Sequence, residues 1–284
     1  MASITFASAK QLRAIAEAIG EFVDEINFDF NSIATALTAQ AMDASHICMV
    51  SLSLAMSLFS SIQGATSASF SDFSIISDFS GFSGPAPTTL GIHVPSLIRV
   101  LKCAGPDDSA LLTSSGDTLK LAFMTDGDER SADVELKLML IDTEKWSCEE
   151  RLTEATFRMS SSLFARAMKD LSTLGSSVKF EFSSDELALT CDGTIGRARM
   201  RFKSQSQSQS QSQNQSVEEA QASFSLKALV SITKACCLAE DVTLHLVQGM
   251  PLRVEFDLDS ISKLQYHLAP VNDDDDVVHE EEEL

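Results

Sequence analysis

The stretch Pro95-Ser-Leu-Ile-Arg-Val-Leu-Lys-Cys-Ala104 decides the fold, because a stretch of the same kind returns in the other half of the chain. Proline suits the first turn of a helix, and Leu97 and Leu101 recur at helical spacing, so the stretch predicts a short amphipathic helix. Its two charges, Arg99 and Lys102, are three residues apart and share one face.

The same pattern recurs as Ala228-Leu-Val-Ser-Ile-Thr-Lys-Ala-Cys236, in which Lys234 follows Lys102 by roughly 130 positions. A second echo has nearly the same offset, because Thr118-Leu-Lys-Leu-Ala-Phe123 returns as Pro251-Leu-Arg-Val-Glu-Phe256. Two echoes at one offset predict that the chain holds two copies of one structural unit.

The rest of the chain predicts an α+β fold of helices packed on antiparallel sheet. Two more amphipathic helices are expected, one over residues 10–23 and one that follows the serines at 160–162. Alternating segments predict strands. They lie at 26–30, 46–54, 110–113, 118–124, 134–138, 178–182, 187–191, 197–202, 242–246, 251–258 and 264–268.

Composition shifts divide the chain. We predict an N-terminal domain over 1–138, a connecting segment over 139–153, a C-terminal domain over 154–271 and an acidic tail over 272–284. A Ser/Phe-rich segment at 57–89 reads as an inserted loop, with a phenylalanine-based docking site as the alternative. A Ser/Gln repeat at 204–216 has too little apolar content to fold.

The charge is unevenly placed. The chain has 41 acidic and 21 basic side chains and a net charge of −20, which by itself disfavours nucleic acid as a partner. Eight basic residues nevertheless fall on the four predicted helices, off their apolar stripes. These are Lys10, Arg13, Arg99, Lys102, Arg166, Lys169, Lys227 and Lys234. A single helix of this kind would be explained by a charged face exposed to solvent. Four matched helices instead favour contacts with phosphates, which are independent of sequence and sensitive to salt.

The sequence gives little support to other function classes. No nucleophile motif, phosphate-binding glycine loop or metal-ligand spacing is present, so we expect no enzyme, no cofactor and no metal. The six cysteines show no CxxC pair, and we expect most of them to be buried thiols, with Cys236-Cys237 as a possible reactive pair. No apolar run is long enough to span a bilayer, so we expect no membrane partner.

Several motifs resemble the proliferating cell nuclear antigen family of eukaryotic DNA sliding clamps. They include Ala39-Gln-Ala-Met-Asp-Ala-Ser-His-Ile-Cys-Met-Val50, Leu90-Gly-Ile-His93, Arg99-Val-Leu-Lys-Cys-Ala-Gly105, Lys169-Asp-Leu-Ser172 and Tyr266-His-Leu-Ala-Pro270. The resemblance runs nearly end to end and leaves out the two low-complexity segments and the tail.

This resemblance implies a homotrimeric ring of six similar domains, with basic helices lining a hole that holds duplex DNA. It implies a processivity factor in DNA replication and repair, located in the nucleus, that docks DNA polymerase, a clamp loader and other proteins through short hydrophobic–aromatic peptides. The alternative is a subunit of a heterotrimeric checkpoint clamp, which shares the fold but not the partners.

The resemblance also implies a peptide pocket beside the connecting segment. Its residues would be Met42, His46, Ile47, Met49, Trp146, Cys148, Pro251, His267, Leu268, Ala269 and Pro270. Trp146 and Cys148 stand where smaller aliphatic residues are usual, and His267 where tyrosine is usual. For His46 alone, without the motif, a satisfied core histidine would be the favoured reading.

Ring closure would resemble edge-strand pairing, in which 132–137 of one chain meets 197–202 of the next. Val134, Leu136, Arg199 and Arg201 would lie in that contact. The chain departs from the family at Gly20 and Thr173, where basic residues are usual. It also departs at Ser184, which aligns with the lysine that carries ubiquitin.

Overall fold

The computed structural model describes residues 2–31, 36–55, 88–125, 131–142, 146, 155–183, 186–203 and 219–271. They form two compact units. The first unit comprises residues 1–147 with 257–265, and the second comprises 148–256 with 266–284. The predicted segment boundaries stay a prediction.

The elements are numbered in chain order. The first half contains β1 Ala2–Phe6, α1 Ala9–Ile19, β2 Glu25–Asn31, β3 Ala36–Met42, β4 Cys48–Ala55, β5 Thr88–His93, α2 Val94–Leu101, β6 Ser109–Ser115, β7 Thr118–Met124 and β8 Ser131–Lys137. The second half contains β9 Ala155–Ser160, α3 Ser161–Ser172, β10 Ser177–Phe182, β11 Glu186–Gly193, β12 Gly196–Lys203, β13 Ala220–Ser225, α4 Leu226–Ile232, β14 Asp241–Leu246, β15 Leu252–Asp257 and β16 Lys263–Leu268. A 3₁₀ turn at Thr233–Cys237 continues α4.

The two halves share one topology. Each runs as a strand, a helix, four strands, a helix and three strands. In the first half the strand orders are β1-β6-β7-β8 and β5-β2-β3-β4, and in the second they are β9-β14-β15-β16 and β13-β10-β11-β12. Adding eight to each strand number converts the first pair of orders into the second. The predicted duplication and the α+β class are therefore confirmed.

Apolar stripes hold the helices in place. Leu12, Ile15 and Ile19 of α1 are buried, and α2 buries Leu97 and Leu101 as predicted. The same design recurs in the second half, where α3 buries four apolar residues of its stripe and α4 buries three. Full burial of each such leucine or isoleucine contributes about 1.5–3 kcal/mol, so these stripes fix which helix faces remain exposed.

The two helices of the first half are shorter than predicted. The sequence pattern extends to residue 23, but α1 ends at Ile19, and the N–H groups of Phe22 and Val23 donate to the Ile19 carbonyl in a following turn. Likewise α2 ends at Leu101 and has Lys102 as its C-cap residue. Apolar residues beyond a helix end can still be buried, so periodicity overestimates helix length.

Five strands were not predicted, namely β1, β3, β5, β9 and β13. Their sequences are short and rich in Ala, Ser and Thr, so their alternation is weak. Residues 88 and 89 of the predicted loop at 57–89 begin β5, and the rest of that segment lies outside the described residues, together with 204–216 and the acidic tail.

Candidate nucleic-acid interface and peptide-binding surface

In the first unit the basic residues project from two helices that pack side by side, α1 and α2. Lys10, Arg99 and Lys102 are exposed, and Arg13 is 43% exposed at its side chain. Arg13 forms an ion pair with Glu17 one turn later, with Nε and Oε1 2.8 Å apart. Lys10 and Arg13 are spaced i, i+3, as are Arg99 and Lys102, so each pair shares one helix face.

The second unit repeats this arrangement on α3 and α4, which also pack together. Arg166 and Lys169 are spaced i, i+3 on α3 and are exposed. Lys227 is exposed on α4, and Lys234 is exposed on the 3₁₀ turn rather than on the helix proper. Arg166 lies 3.7 Å from Asp170, but that arginine is 80% exposed at its side chain.

The other six helix cations have no carboxylate within ion-pair distance in the described part of the chain. Lysine and arginine side chains that are exposed and lack such partners can bind external anions without breaking an internal pair. Regularly spaced, flexible cations suit a phosphate backbone, and contacts with phosphates carry no sequence information. The two helix pairs are therefore candidate phosphate-binding surfaces.

Five predicted peptide-site residues belong to the first unit. His46 and Ile47 are exposed in the turn between β3 and β4, and Trp146 is 49% exposed. Met42 is partly buried at the end of β3, whereas Met49 is only 4% exposed. The first four residues therefore keep surface that a peptide could contact, whereas Met49 belongs to the core.

The turn between β3 and β4 is held by Asp43. One carboxylate oxygen, Oδ1, accepts the N–H groups of Ile47 and Cys48, each at 2.7 Å. The other oxygen accepts the N–H of Ser45 at 3.3 Å and also its hydroxyl. Burial acts to raise the pKa of Asp43, but these hydrogen bonds outweigh it and hold the pKa below the ordinary value.

Four hydrogen bonds hold the described residues of the connecting segment to strands β2, β3 and β5. Gln40 Nε2 donates to the Trp146 carbonyl at 2.8 Å, and the Trp146 N–H donates to Gln40 Oε1 at 2.9 Å. Asn27 Nδ2 donates to the Ile141 carbonyl at 2.9 Å. The Met139 N–H donates to the Gly91 carbonyl at 3.0 Å. Leu140 is fully exposed between them.

The remaining peptide-site residues belong to the second unit, apart from Cys148, which lies outside the described residues. Pro251 is exposed. His267, Ala269 and Pro270 are partly buried, while Leu268 is fully buried as the last residue of β16. The N–H of Val271 donates to the Ser223 carbonyl at 2.8 Å, which fixes the end of this segment.

The strands predicted to join neighbouring subunits are both sheet edges. Strand β8 ends the order β1-β6-β7-β8, and β12 ends the order β12-β11-β10-β13. Val134 is partly buried and Leu136 is 9% exposed. Arg199 and Arg201 are exposed and pair with Glu181 and Glu186, at 2.7 and 3.4 Å. Both edges therefore carry backbone groups that another chain could pair with.

The environment of Cys236 argues against a reactive pair at Cys236-Cys237. Burial, with a smaller effect of Cys237, raises the pKa of Cys236 to about 12, so its thiol stays protonated at neutral pH. Cys48 and Cys191 are buried, whereas Cys103 and Cys237 are exposed, contrary to the expectation of mostly buried thiols. The described residues contain no group of three side chains suited to a metal ion and no helix of membrane-spanning length and apolarity.

The sequence reading missed the residues that hold the peptide-site elements, namely Asp43, Gln40, Asn27 and Gly91. A signal existed for Asp43, because aspartate followed closely by serine is typical of turns in which the side chain accepts backbone N–H groups. Gln40 and Asn27 gave no local signal, since their partners lie 106 and 114 positions away.

Comparison with known proteins shows that both halves of the chain match domain models of one family. Residues 1–146 match the family model "Proliferating cell nuclear antigen, N-terminal domain", and residues 147–271 match "Proliferating cell nuclear antigen, C-terminal domain". Over 273 residues the chain is 31% identical to the proliferating cell nuclear antigen of Chaetomium thermophilum. This match covers 94% of the chain and 97% of the relative.

Proposed function

The chain belongs to the proliferating cell nuclear antigen family of DNA sliding clamps, and on this premise we propose that three copies close into a ring around duplex DNA. The observation that carries the proposal is the duplicated pair of helices, each with exposed cations on one face, in a chain of net charge −20. Such a ring would hold DNA by enclosure and by screened phosphate contacts, without reading sequence.

The mechanism is topological and involves no catalysis. A closed ring slides freely while it keeps a bound polymerase next to its template, which raises the effective concentration of that enzyme. The proposed partners are DNA polymerase, the clamp loader and other proteins that carry hydrophobic–aromatic peptides, and the proposed compartment is the nucleus. The checkpoint-clamp alternative is not favoured, because both halves match models of the proliferating cell nuclear antigen family.

In the first unit, partner docking would use the turn residues His46 and Ile47 and Trp146 of the connecting segment. In the second unit it would use Pro251 and the segment at 267–270. The exposure of Ile47, Leu140 and Trp146 supports this proposal, because large apolar and aromatic side chains are the ones that protein interfaces bury. Ser184 stands where the family has the lysine that carries ubiquitin. This residue lies outside the described residues, so the loss of that modification site stays a prediction.

The ring is tested by mass and by topology. Light scattering after size exclusion should give three times the chain mass of 30.7 kDa. A ring can thread onto linear duplex only over an open end. The amount of protein that binds bead-bound DNA should therefore fall when bulky groups block both ends before the protein is added. A monomer at micromolar concentration, or retention that is indifferent to blocked ends, would contradict the proposal.

A further inference from the structure

The turn between β3 and β4 has an unusual backbone. His46 has φ of 56°, and it is the one non-glycine residue with positive φ in the described ranges. The left-handed conformation is unfavourable for a residue with a Cβ and persists where surrounding contacts enforce it. Something in the turn must therefore hold His46 in place.

Asp43 supplies that constraint. Its carboxylate accepts three backbone N–H groups, those of Ser45, Ile47 and Cys48, which lie on both sides of His46. The N–H of Asp43 donates to the Cys48 carbonyl at 2.9 Å, and the N–H of His46 donates to the Asp43 carbonyl at 3.0 Å. These bonds leave residues 44–46 little freedom to adopt another conformation.

The consequence is the direction of the exposed side chains. Cys48 begins β4 and is 1% exposed, so the turn is anchored in the core at one end. His46 and Ile47, by contrast, are exposed, and Ile47 keeps 43% of its accessible surface. Because its backbone is already fixed, the exposed isoleucine can bind an apolar side chain with a smaller loss of conformational entropy.

We propose that Asp43 is a positioning residue for partner docking: its carboxylate preorganises the turn at 43–47 so that His46 and Ile47 meet an incoming hydrophobic–aromatic peptide in one conformation. This inference rests on the peptide site proposed above. Asp43 itself does not contact the peptide and acts through the backbone of its neighbours.

The first unit contains a matched control. Asp259 holds the turn between β15 and β16 in the same manner, because its Oδ1 accepts the N–H groups of Ile261 and Ser262 at 2.7 and 2.6 Å. Its Oδ2 accepts the Ser262 hydroxyl at 3.0 Å. This turn also presents an exposed isoleucine, Ile261, but no residue of it belongs to the proposed peptide site.

The experiment compares Asp43→Asn, Asp43→Ala and Asp259→Ala in the full chain. The probe is a synthetic peptide of the form Gln-x-x-Leu-x-x-Phe-Phe, titrated by calorimetry and by Trp146 fluorescence. Asp43→Ala should weaken binding by about tenfold, with a less favourable binding entropy, since a charge-assisted hydrogen-bond set is lost. Asp43→Asn keeps one acceptor oxygen and should fall between Asp43→Ala and the wild type, while Asp259→Ala should change affinity less than twofold.

A second measurement distinguishes a failure of the positioning role of Asp43 from a failure of the peptide site itself. Amide exchange at Ile47 and Cys48 should be slow in the wild type and faster in Asp43→Ala, whether or not the peptide binds. If the wild type fails to bind the peptide, the peptide site is wrong. The positioning role is overturned if Asp43→Ala binds like the wild type, if Asp259→Ala weakens binding equally, or if exchange at Ile47 is unchanged.

Discussion

At the scale of single residues, one departure from the family has a packing explanation. Gly20 stands where a basic residue is usual, directly after α1. A Cβ at this position would lie 3.0 Å from Ile98 Cδ1 and 3.2 Å from Val94 Cγ1, both on α2. The close approach of the two helices therefore favours glycine here, and the exposed surface of this helix pair has Lys10, Arg13, Arg99 and Lys102 as its cations.

Lys102 provides the residue-level test of DNA binding. Its ammonium group is exposed at the C-cap of α2 and has no carboxylate partner among the described residues. If Lys102 contacts a phosphate, Lys102→Ala should weaken DNA binding and reduce the slope of log K against log salt by about 0.9. Fluorescence anisotropy with duplex DNA at several salt concentrations measures both quantities.

Arg158→Ala is the matched control for Lys102→Ala. Arg158 is exposed on β9 and forms an ion pair with Asp241 at 3.1 Å, away from the helix faces. Its loss should leave the salt slope unchanged. If both variants had the same slope as the wild type, Lys102 would not belong to the DNA-binding surface.

At the scale of elements, the attachment of the connecting segment depends on Gly91 in β5. The structure forms an isolated antiparallel bridge between Gly91 and Met139. A Cβ at Gly91 would lie 2.1 Å from the Met139 carbonyl oxygen, which is a backbone atom and cannot rotate away. Glycine is thus required by the close approach of two backbones, and not by its own dihedral angles.

We expect Gly91→Ala to detach the segment near Met139. The clash should cost about 1–3 kcal/mol in the free energy of unfolding, as overpacking typically does. It should also shift the emission of Trp146, whose backbone is held to the same unit by Gln40. Urea unfolding and tryptophan fluorescence measure the two effects.

Gly116→Ala is the comparison for this variant. Gly116 has φ of 59° with open space around it, so alanine there strains the backbone without displacing any neighbour. It should cost about 1 kcal/mol and leave the Trp146 spectrum unchanged. Equal spectra for the two variants would argue against the contact at Gly91.

At the scale of the whole molecule, the proposed ring depends on edges that complement each other. Strand β12 has four basic residues that alternate on one face, at 197, 199, 201 and 203, whereas β8 has Asp133 and Glu135. Pairing of β12 with a second β12 would place like charges together, which disfavours a closed dimer. If 132–137 of one chain pairs antiparallel with 197–202 of the next, residue by residue, Glu135 faces Arg199 and Asp133 faces Arg201.

The double substitution Arg199→Gln and Arg201→Gln tests this contact. Removal of the two charges should raise the concentration at which trimers dissociate by several-fold and make dissociation less sensitive to salt, because exposed ion pairs are weak and screened. Sedimentation velocity over a range of salt concentrations gives both values. Arg158→Gln, which also removes a paired surface arginine, should dissociate like the wild type.

The sequence by itself determined the duplication, the fold class and the positions of the helix cations, because these depend on local periodicity and on patterns that recur at a fixed offset. The family resemblance adds His46, Ile47 and Trp146 as peptide-site residues, and that assignment stays a prediction. Strands such as β1 and β13 could not be predicted from the sequence, because short Ala/Ser/Thr segments become strands only when a neighbouring strand pairs with them.

Only the tertiary structure decided how the exposed elements are held. Asp43 interacts with its own turn, but Gln40, Asn27 and Gly91 act on backbone groups far along the chain. Such contacts exist only after the sheet has brought β2, β3 and β5 next to the connecting segment. A hydrogen bond across more than a hundred residues leaves no periodic trace in the sequence, because each partner is chosen by three-dimensional proximity rather than by spacing.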